Sequence, residues 1–490
     1  MRKITLFAFG VLASAASYAQ LTTPGTGQNY DLTTLSALDP SILTFDGTKY
    51  ILSDDLIIST TDVLEITTSD TLFVDSDKRI TIEGSLVIDA GQNNPKFVLS
   101  STDTLNPAEG IRFEEFSIGS IKNSEITYTG GLRVLTEDFE IEDSYLAHNV
   151  SGVSTGAVIS LSRGAAVIKN NTFYMNDLPA VGSGANQNVA AQIINNWIEK
   201  NCQSNQNRPQ INVGPTGTDT LRIIGNTILG DRAMTMAGGI GVSNFVGADI
   251  NAIIEANVII DNRYGLSVLG ANANVLIKDN IIEDNDSQND PNLGGSGISL
   301  NSSDDSQNII IRENKIRGNI WGITVIGQAS ADLGTTGDLG NNLFSDNGNN
   351  GEIFAIYNNT PLDISAMGNC WIESNQAADS TEIEDVVFHN VDDVTLGTVD
   401  FSNWSCGILS TDKFKLENIN LYPNPAQNRI NITNDSNFET VEFFNISGKL
   451  LKTEKLIDGE NKIDLSFPNG LYLLKFTNKE NSLTKKLMIK

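Results

Sequence analysis

Apolar residues in this chain come in short alternating runs and scarcely anywhere at helical spacing. Ile80-Thr-Ile and Leu86-Val-Ile, separated by Glu83-Gly-Ser, show the form: aliphatic residues at every second position, then a turn. The pattern predicts short strands and excludes a helical bundle or a doubly wound sheet. The runs are also phased. The motif Asn-x-apolar-x-x-Asn recurs with leading residues Asn171, Asn196, Asn226, Asn257, Asn280, Asn314, Asn342 and Asn369, and Ser124 and Ser144 lead two earlier copies. Successive leaders are 20, 27, 25, 30, 31, 23, 34, 28 and 27 residues apart. The second polar position falls at Asn176, Asn201, Asp231, Asn262, Asn285, Asn319, Asn347 and Ser374, with Thr129 and Asn149 upstream.

A repeat of this length is one coil of a solenoid, and the longer steps are coils with loops inserted at their turns. The apolar residue two after each leader is expected to point inward, and the leading asparagines to stack about 4.8 Å apart with their amides bonding along the axis. The second Asn is expected at a corner, in the left-handed conformation that Asn tolerates. Gly265 and Gly322, each eight residues after a leader, open the next strands. With these residues, and with Asn257-Val-Ile-Ile-Asp-Asn-Arg-Tyr-Gly-Leu above all, the chain resembles the right-handed parallel β-helix repeat family. Phe45-Asp-Gly-Thr-Lys-Tyr-Ile-Leu is similar to its early coils, and Gly368-Asn-Cys-Trp371 with Leu396-Gly-Thr-Val-Asp-Phe401 to its closing wrap. The expectation is an all-β chain: a lead-in at 20–44, then a right-handed parallel β-helix over 45–410. That architecture hosts lyases, hydrolases, adhesins and inert stalks, so it implies a fold and not an activity.

Both ends carry an address. Arg2 and Lys3 precede an apolar run from Ile4 to Ala16, and Ser17-Tyr-Ala19 offers small residues at a signal-peptidase spacing. Residues 1–19 therefore read as a signal peptide cleaved after Ala19. From about 411 the chain changes to short alternating strands, with turns at Ser447-Gly448 and Asn469-Gly470, which suggest a small β-sandwich over 411–490. Tyr422-Pro423-Asn-Pro425, Gly448 with Lys449, Gly470-Leu-Tyr472 and a basic last strand containing Lys486 make this part resemble the type A C-terminal sorting domain of the type IX secretion system. The resemblance implies the secretion machinery as partner and passage through the periplasm to the outer surface or surroundings of a Gram-negative cell. It also implies a domain that is usually removed, with the cargo released or joined to surface lipopolysaccharide.

Charge narrows the ligand. The net charge is −28, and it is carried by the body: residues 20–410 sum to −32 and residues 411–490 to +2. Such a body does not suit nucleic acid, which needs clustered Lys and Arg, nor electrostatic capture of a polyanion. In an oxidising compartment Cys370 and Cys406 could bridge, leaving Cys202 odd, and the sequence leaves that pairing open.

In a solenoid, candidate chemistry lies in columns across repeats. Arg232 and Arg263 fall six residues after their leaders, and Tyr264 and Trp321 seven after theirs, a pattern that offers guanidinium groups and ring faces to a glycan. Asp284, Asp286 and Asp290 form an acidic loop that is a weak Ca²⁺ candidate, without the glycine and distal glutamate of an EF-hand. His148 and His389 lie far apart, and no Ser-His-Asp set, phosphate loop or zinc spacing is present. The paired-Asp and His-Gly motifs of polygalacturonase-like enzymes are also missing. The reading is a secreted or surface β-helix in a non-catalytic glycan-binding, adhesive or envelope role, needing no cofactor; the alternative is an extracellular polysaccharide lyase or hydrolase.

Overall fold

The computed structural model describes residues 20–91, 95–406 and 419–489, the last stretch without 423, 425, 435–437, 446–448, 458, 469 and 479–481. The expected signal peptide at 1–19 and the sorting-motif positions Pro423, Pro425 and Gly448 lie outside the described residues. The chain divides into two compact units, Met1–Gly407 and Ile408–Lys490.

The first unit is a parallel β-helix. Its strands wind in rotation through three long sheets of 14, 13 and 11 strands, called here the first, second and third. One coil runs from Thr172–Tyr174 in the second sheet to Val181–Ser183 in the first and Gln192–Ile194 in the third, and Trp197–Glu199 then returns to the second. Apart from the antiparallel pair Leu43–Phe45 with Tyr50–Leu52 that starts the second sheet, register is parallel and unslipped: Ile228 pairs with Ile259, and Ile259 with Ile282. Alternation sends every second side chain inward. The residues two after the leaders, Phe173, Ile198, Ile228, Ile259, Ile282, Ile316, Phe344 and Trp371, are all buried in one continuous core.

The leading asparagines form the expected ladder. The Asn226 backbone N–H and Nδ2 donate to Asn257 Oδ1 at 2.9 and 3.0 Å, and Asn257 donates likewise to Asn280 at 3.0 and 2.9 Å. Nδ2 of Asn257 also donates to the Ile223 carbonyl one coil back, at 2.8 Å. Each amide therefore uses both donors and accepts twice, which satisfies groups that burial would otherwise penalise. The ladder runs from Ser124 through Ser144 to Asn369.

The second ladder corrects three sequence expectations. Its left-handed corner residue is not the Asn but the residue before it: His148, Met175, Lys200, Asp261 and Asp284 all have φ between 48° and 61°. The Asn must keep its amide in the stack, so its neighbour takes the turn. Asp231 does not hold its rung either. Gln210 does, accepting from Asn201 at 3.1 Å and donating to Asn262 at 2.9 Å. A carboxylate has no N–H to pass to the next coil, so Asp231 turns outward and accepts from Ala233 N in its own loop. Ser374 is exposed, and the ladder ends at Asn347.

Glycines let the coils close. A Cβ on Gly265 would meet Ile282 Cγ2 at 2.4 Å and the Gly297 carbonyl oxygen at 2.5 Å, and Gly239, Gly297 and Gly322 sit in the same file. At the N-terminal end, strands 20–22 and 29–30 already join the first and third sheets, so the lead-in at 20–44 is part of the wound structure. Helix Leu32–Leu38 buries Leu32 and Leu35 there, and helix Ser380–Glu384 buries Ile383 at the other end. Cys370 and Cys406 form a disulfide, and Cys202 is free and buried.

The second unit has a three-stranded and a four-stranded antiparallel sheet around its own core. Asn424 clips the last strand, donating to the Lys486 carbonyl at 3.0 Å and accepting from Met488 N–H at 2.9 Å. Tyr472 is buried and its hydroxyl donates to the Pro468 carbonyl at 2.6 Å. Gly470 has φ +155°, at the start of the strand that pairs with the chain's last one. Asn424 and Tyr472 are thus structural clips of this small fold.

Candidate functional site

The loops joining the second sheet to the first carry the arginines singled out in the sequence, and the structure commits both to protein partners. Exposed Arg232 donates to Asp261 Oδ1 at 2.8 Å, to Asp286 Oδ1 at 2.6 Å and to the Asp284 carbonyl at 3.2 Å. Arg263 is 9% exposed and donates to Asn207 Oδ1 and the Leu293 carbonyl. The Tyr264 ring lies over Gly238, where an added Cβ would be 2.3 Å from it, and desolvation raises the phenol's pKa. The four residues do not line up as a strip: one guanidinium ties loops at the surface, the other ties them inside.

The acidic loop is spent in the same way. Asp286 is bound to Arg232, and desolvation with the neighbouring Glu283, Asp261 and Asp286 charges raises the Asp284 pKa. Among the described residues no three His, Cys, Asp or Glu side chains converge as a metal site. His148 stacks on Tyr128 with centroids 5.0 Å apart, whereas buried His389 lies 2.7 Å from Glu384 through Nε2 and accepts from Val399 N at Nδ1. The histidines share no site. Burial pushes the Cys202 thiol up to about 12, which makes it a poor nucleophile.

Of the arginine and aromatic candidates, Trp321 reaches an open face. It lies half-buried in the first sheet, its Nε1 donating to the Pro291 carbonyl at 3.1 Å. Its ring meets Phe354 at 4.8 Å and Tyr357 at 4.9 Å, and Tyr357 stacks on Phe388 at 4.4 Å. Register explains the grouping. Ser267, Ser299, Thr324, Tyr357 and Phe388 are paired in succession on five coils, so alternation puts them in one outward column. Half-buried Ser267 and Ser299 thus lead towards a half-exposed aromatic platform, whereas Thr324, between Ser299 and that platform, is buried, its hydroxyl 2.9 Å from that of Ser296. Tyr357 and Phe388 escaped the sequence reading because the repeat loses its spacing near the closing wrap. Their signal was local: each is flanked by residues that alternation sends inward, Ile356 and Asn358 in one case and Val387 and His389 in the other.

Two comparisons with known families match parts of the chain. Residues 420–490 match a family described as a secretion system C-terminal sorting domain. Residues 270–376, which include the coils of Ser299, Thr324 and Tyr357, match a β-helix-type family described as a protein of unknown function, DUF1565. No curated protein and no solved structure matches the chain. The sorting tail implies interaction with the type IX secretion machinery and marks the chain as secreted or displayed on the outer surface.

Proposed function

We propose that this exported β-helix binds extracellular glycan on the outer face of its first sheet without cleaving it, in an adhesive or envelope role. The observation that carries the reading is the half-exposed platform of Trp321, Tyr357 and Phe388, which continues the column of half-buried Ser267 and Ser299. Sugar rings pair an apolar face with a rim of hydroxyls. Aromatic rings suit the face, and the Ser267 and Ser299 hydroxyls suit the rim. Binding without chemistry is supported by Arg232 and Arg263, whose guanidinium groups are held by Asp261, Asp286, Asn207 and the Leu293 carbonyl. Entry through the periplasm after removal of residues 1–19 belongs to the same proposal, as does final attachment to surface lipopolysaccharide.

The test is affinity electrophoresis of the full chain on a polysaccharide panel, with product analysis on the same samples. Retardation that Trp321→Ala and Tyr357→Ala each weaken, with no new reducing ends or unsaturated sugars, is the expected result. Retardation unchanged in both variants would remove the site, and release of products would replace binding with catalysis.

A further inference from the structure

A second face of the same solenoid bears aromatic side chains of a different arrangement. On the outer side of the second sheet, Tyr145 pairs with Thr172 and Thr172 with Trp197, so the two rings stand in one column with a small side chain between them. Strand spacing of about 4.8 Å puts them roughly 10 Å apart along the axis. Trp197 is 44% exposed, and its Nε1 donates to Glu199 Oε2 at 2.9 Å, which ties the indole to its own strand. The other three tryptophans have packing partners. Trp321 and Trp371 meet other rings, and Trp404 packs against the core. Among the described residues, neither Trp197 nor Tyr145 has an aromatic ring contact.

The surroundings define the ligand. Tyr128, His148 and Tyr174 form a packed aromatic wall beside the column, with centroid distances of 5.0 and 5.9 Å. Glu125 pairs in register with Tyr145, and burial together with the Glu125 charge raises the tyrosine's pKa, so this phenol is a neutral donor near neutrality. Cations stand next to both carboxylates. Lys96 lies near Glu125 and donates to the Asp143 carbonyl at 3.1 Å, and Lys200 is 3.9 Å from Glu199. Charge is therefore nearly balanced locally, Lys96 and Lys200 standing against Glu125, Asp143 and Glu199, on a body whose overall charge repels acidic polymers.

We propose that this face is a second glycan site, separate from the first-sheet platform, which takes an uncharged polysaccharide lying along the solenoid axis. Tyr145 and Trp197 cover alternate sugar rings, and Thr172 leaves room for the ring between them. The spacing of the two rings is close to the disaccharide repeat of an extended pyranose chain, so a monosaccharide meets one ring only and a trisaccharide meets both.

The experiment is calorimetric titration of the full chain carrying Trp321→Ala and Tyr357→Ala, which removes the first site. The probes are β-1,4- and β-1,3-linked glucose oligomers of one to six units, with polygalacturonate as the acidic comparison. Binding is expected to strengthen between one and three units and to exclude polygalacturonate. Adding Trp197→Ala or Tyr145→Ala should weaken the longer oligomers about tenfold each, with Trp197→Phe restoring part of the loss. A double-mutant cycle should show coupling for long oligomers and none for the monosaccharide. Loss of all oligomer binding in the first-site background would overturn this second site while leaving the first reading intact. Oligomer affinity unchanged by Trp197→Ala and Tyr145→Ala, with melting curves unchanged, or preference for polygalacturonate would overturn it too.

Discussion

At the scale of the residue, a buried amide in the ladder has no spare hydrogen-bonding group. Asn257 accepts from two groups of Asn226, donates to Asn280 and donates to the Ile223 carbonyl. Asn257→Ala leaves several of these orphaned in the core, and thermal or denaturant unfolding should report a loss of about 3 kcal/mol or more. Asp62 makes the parallel case for charge. It is buried and accepts from the N–H groups of Gly25, Thr26, Gly27 and Gln28 at 2.8 to 3.0 Å. Burial opposes its ionisation, but these donors and the Thr23 hydroxyl outweigh it and the pKa is lowered. A lowered folded pKa means that the stabilisation is complete above the ordinary carboxylate range and is lost as pH falls through the folded value. The protection of the amides at 25–28, taken as exchange relative to the intrinsic rate at each pH, should therefore fall in acid in the native chain. In Asp62→Asn that protection should be low already at neutral pH and nearly flat with pH. A native profile that is equally flat would refute the role given to the charge.

At the scale of the element, coils are held by close approach as much as by hydrogen bonds. Gly265→Val pushes a branched side chain into Ile282 and the Gly297 carbonyl, and overpacking of this kind costs about 1–3 kcal/mol or more. The expected sign is a lower melting temperature, and an unchanged one would show that the file can open. The closing wrap has its own staple. The Cys370–Cys406 disulfide joins residues 36 apart, and Cys370 lies between the last ladder residue, Asn369, and the buried Trp371. Chain-entropy arguments put such a bridge at about 3–4 kcal/mol. Reduction, or Cys406→Ser, should loosen the last coils first, seen as faster exchange near 364–371 while the middle coils keep their protection. At this scale the sequence was legible in its strands and ladders. It was misleading where a loop hid a substitution, as with Gln210 standing in for Asp231.

At the scale of the whole molecule, the division of labour follows the chain. An acidic β-helix body is joined to a small antiparallel domain that matches a sorting-domain family. Removing residues 420–490 should leave the body folded and halt its release to the surface, which fractionation of cells would detect. Continued export of the shortened chain would show that the tail is dispensable. The body's charge also predicts that binding to any acidic polymer stays weak and strengthens when salt screens the repulsion, opposite in sign to a basic polysaccharide binder.

The repeat spacing, the inward apolar positions and the tail motifs were determined by sequence alone, because each is a local periodicity that one strand or turn imposes on itself. The asparagine columns followed once the coil length was known. The candidate binding faces were decided only by tertiary structure. Arg232 and Arg263 sit at matching offsets, yet unequal loop insertions send one to the surface and the other inside. Trp321, Tyr357 and Phe388 sit at unmatched offsets, yet parallel pairing brings them onto one face. Offsets along the chain measure contour, whereas a ligand meets positions across the coils, and only the register between coils relates the two.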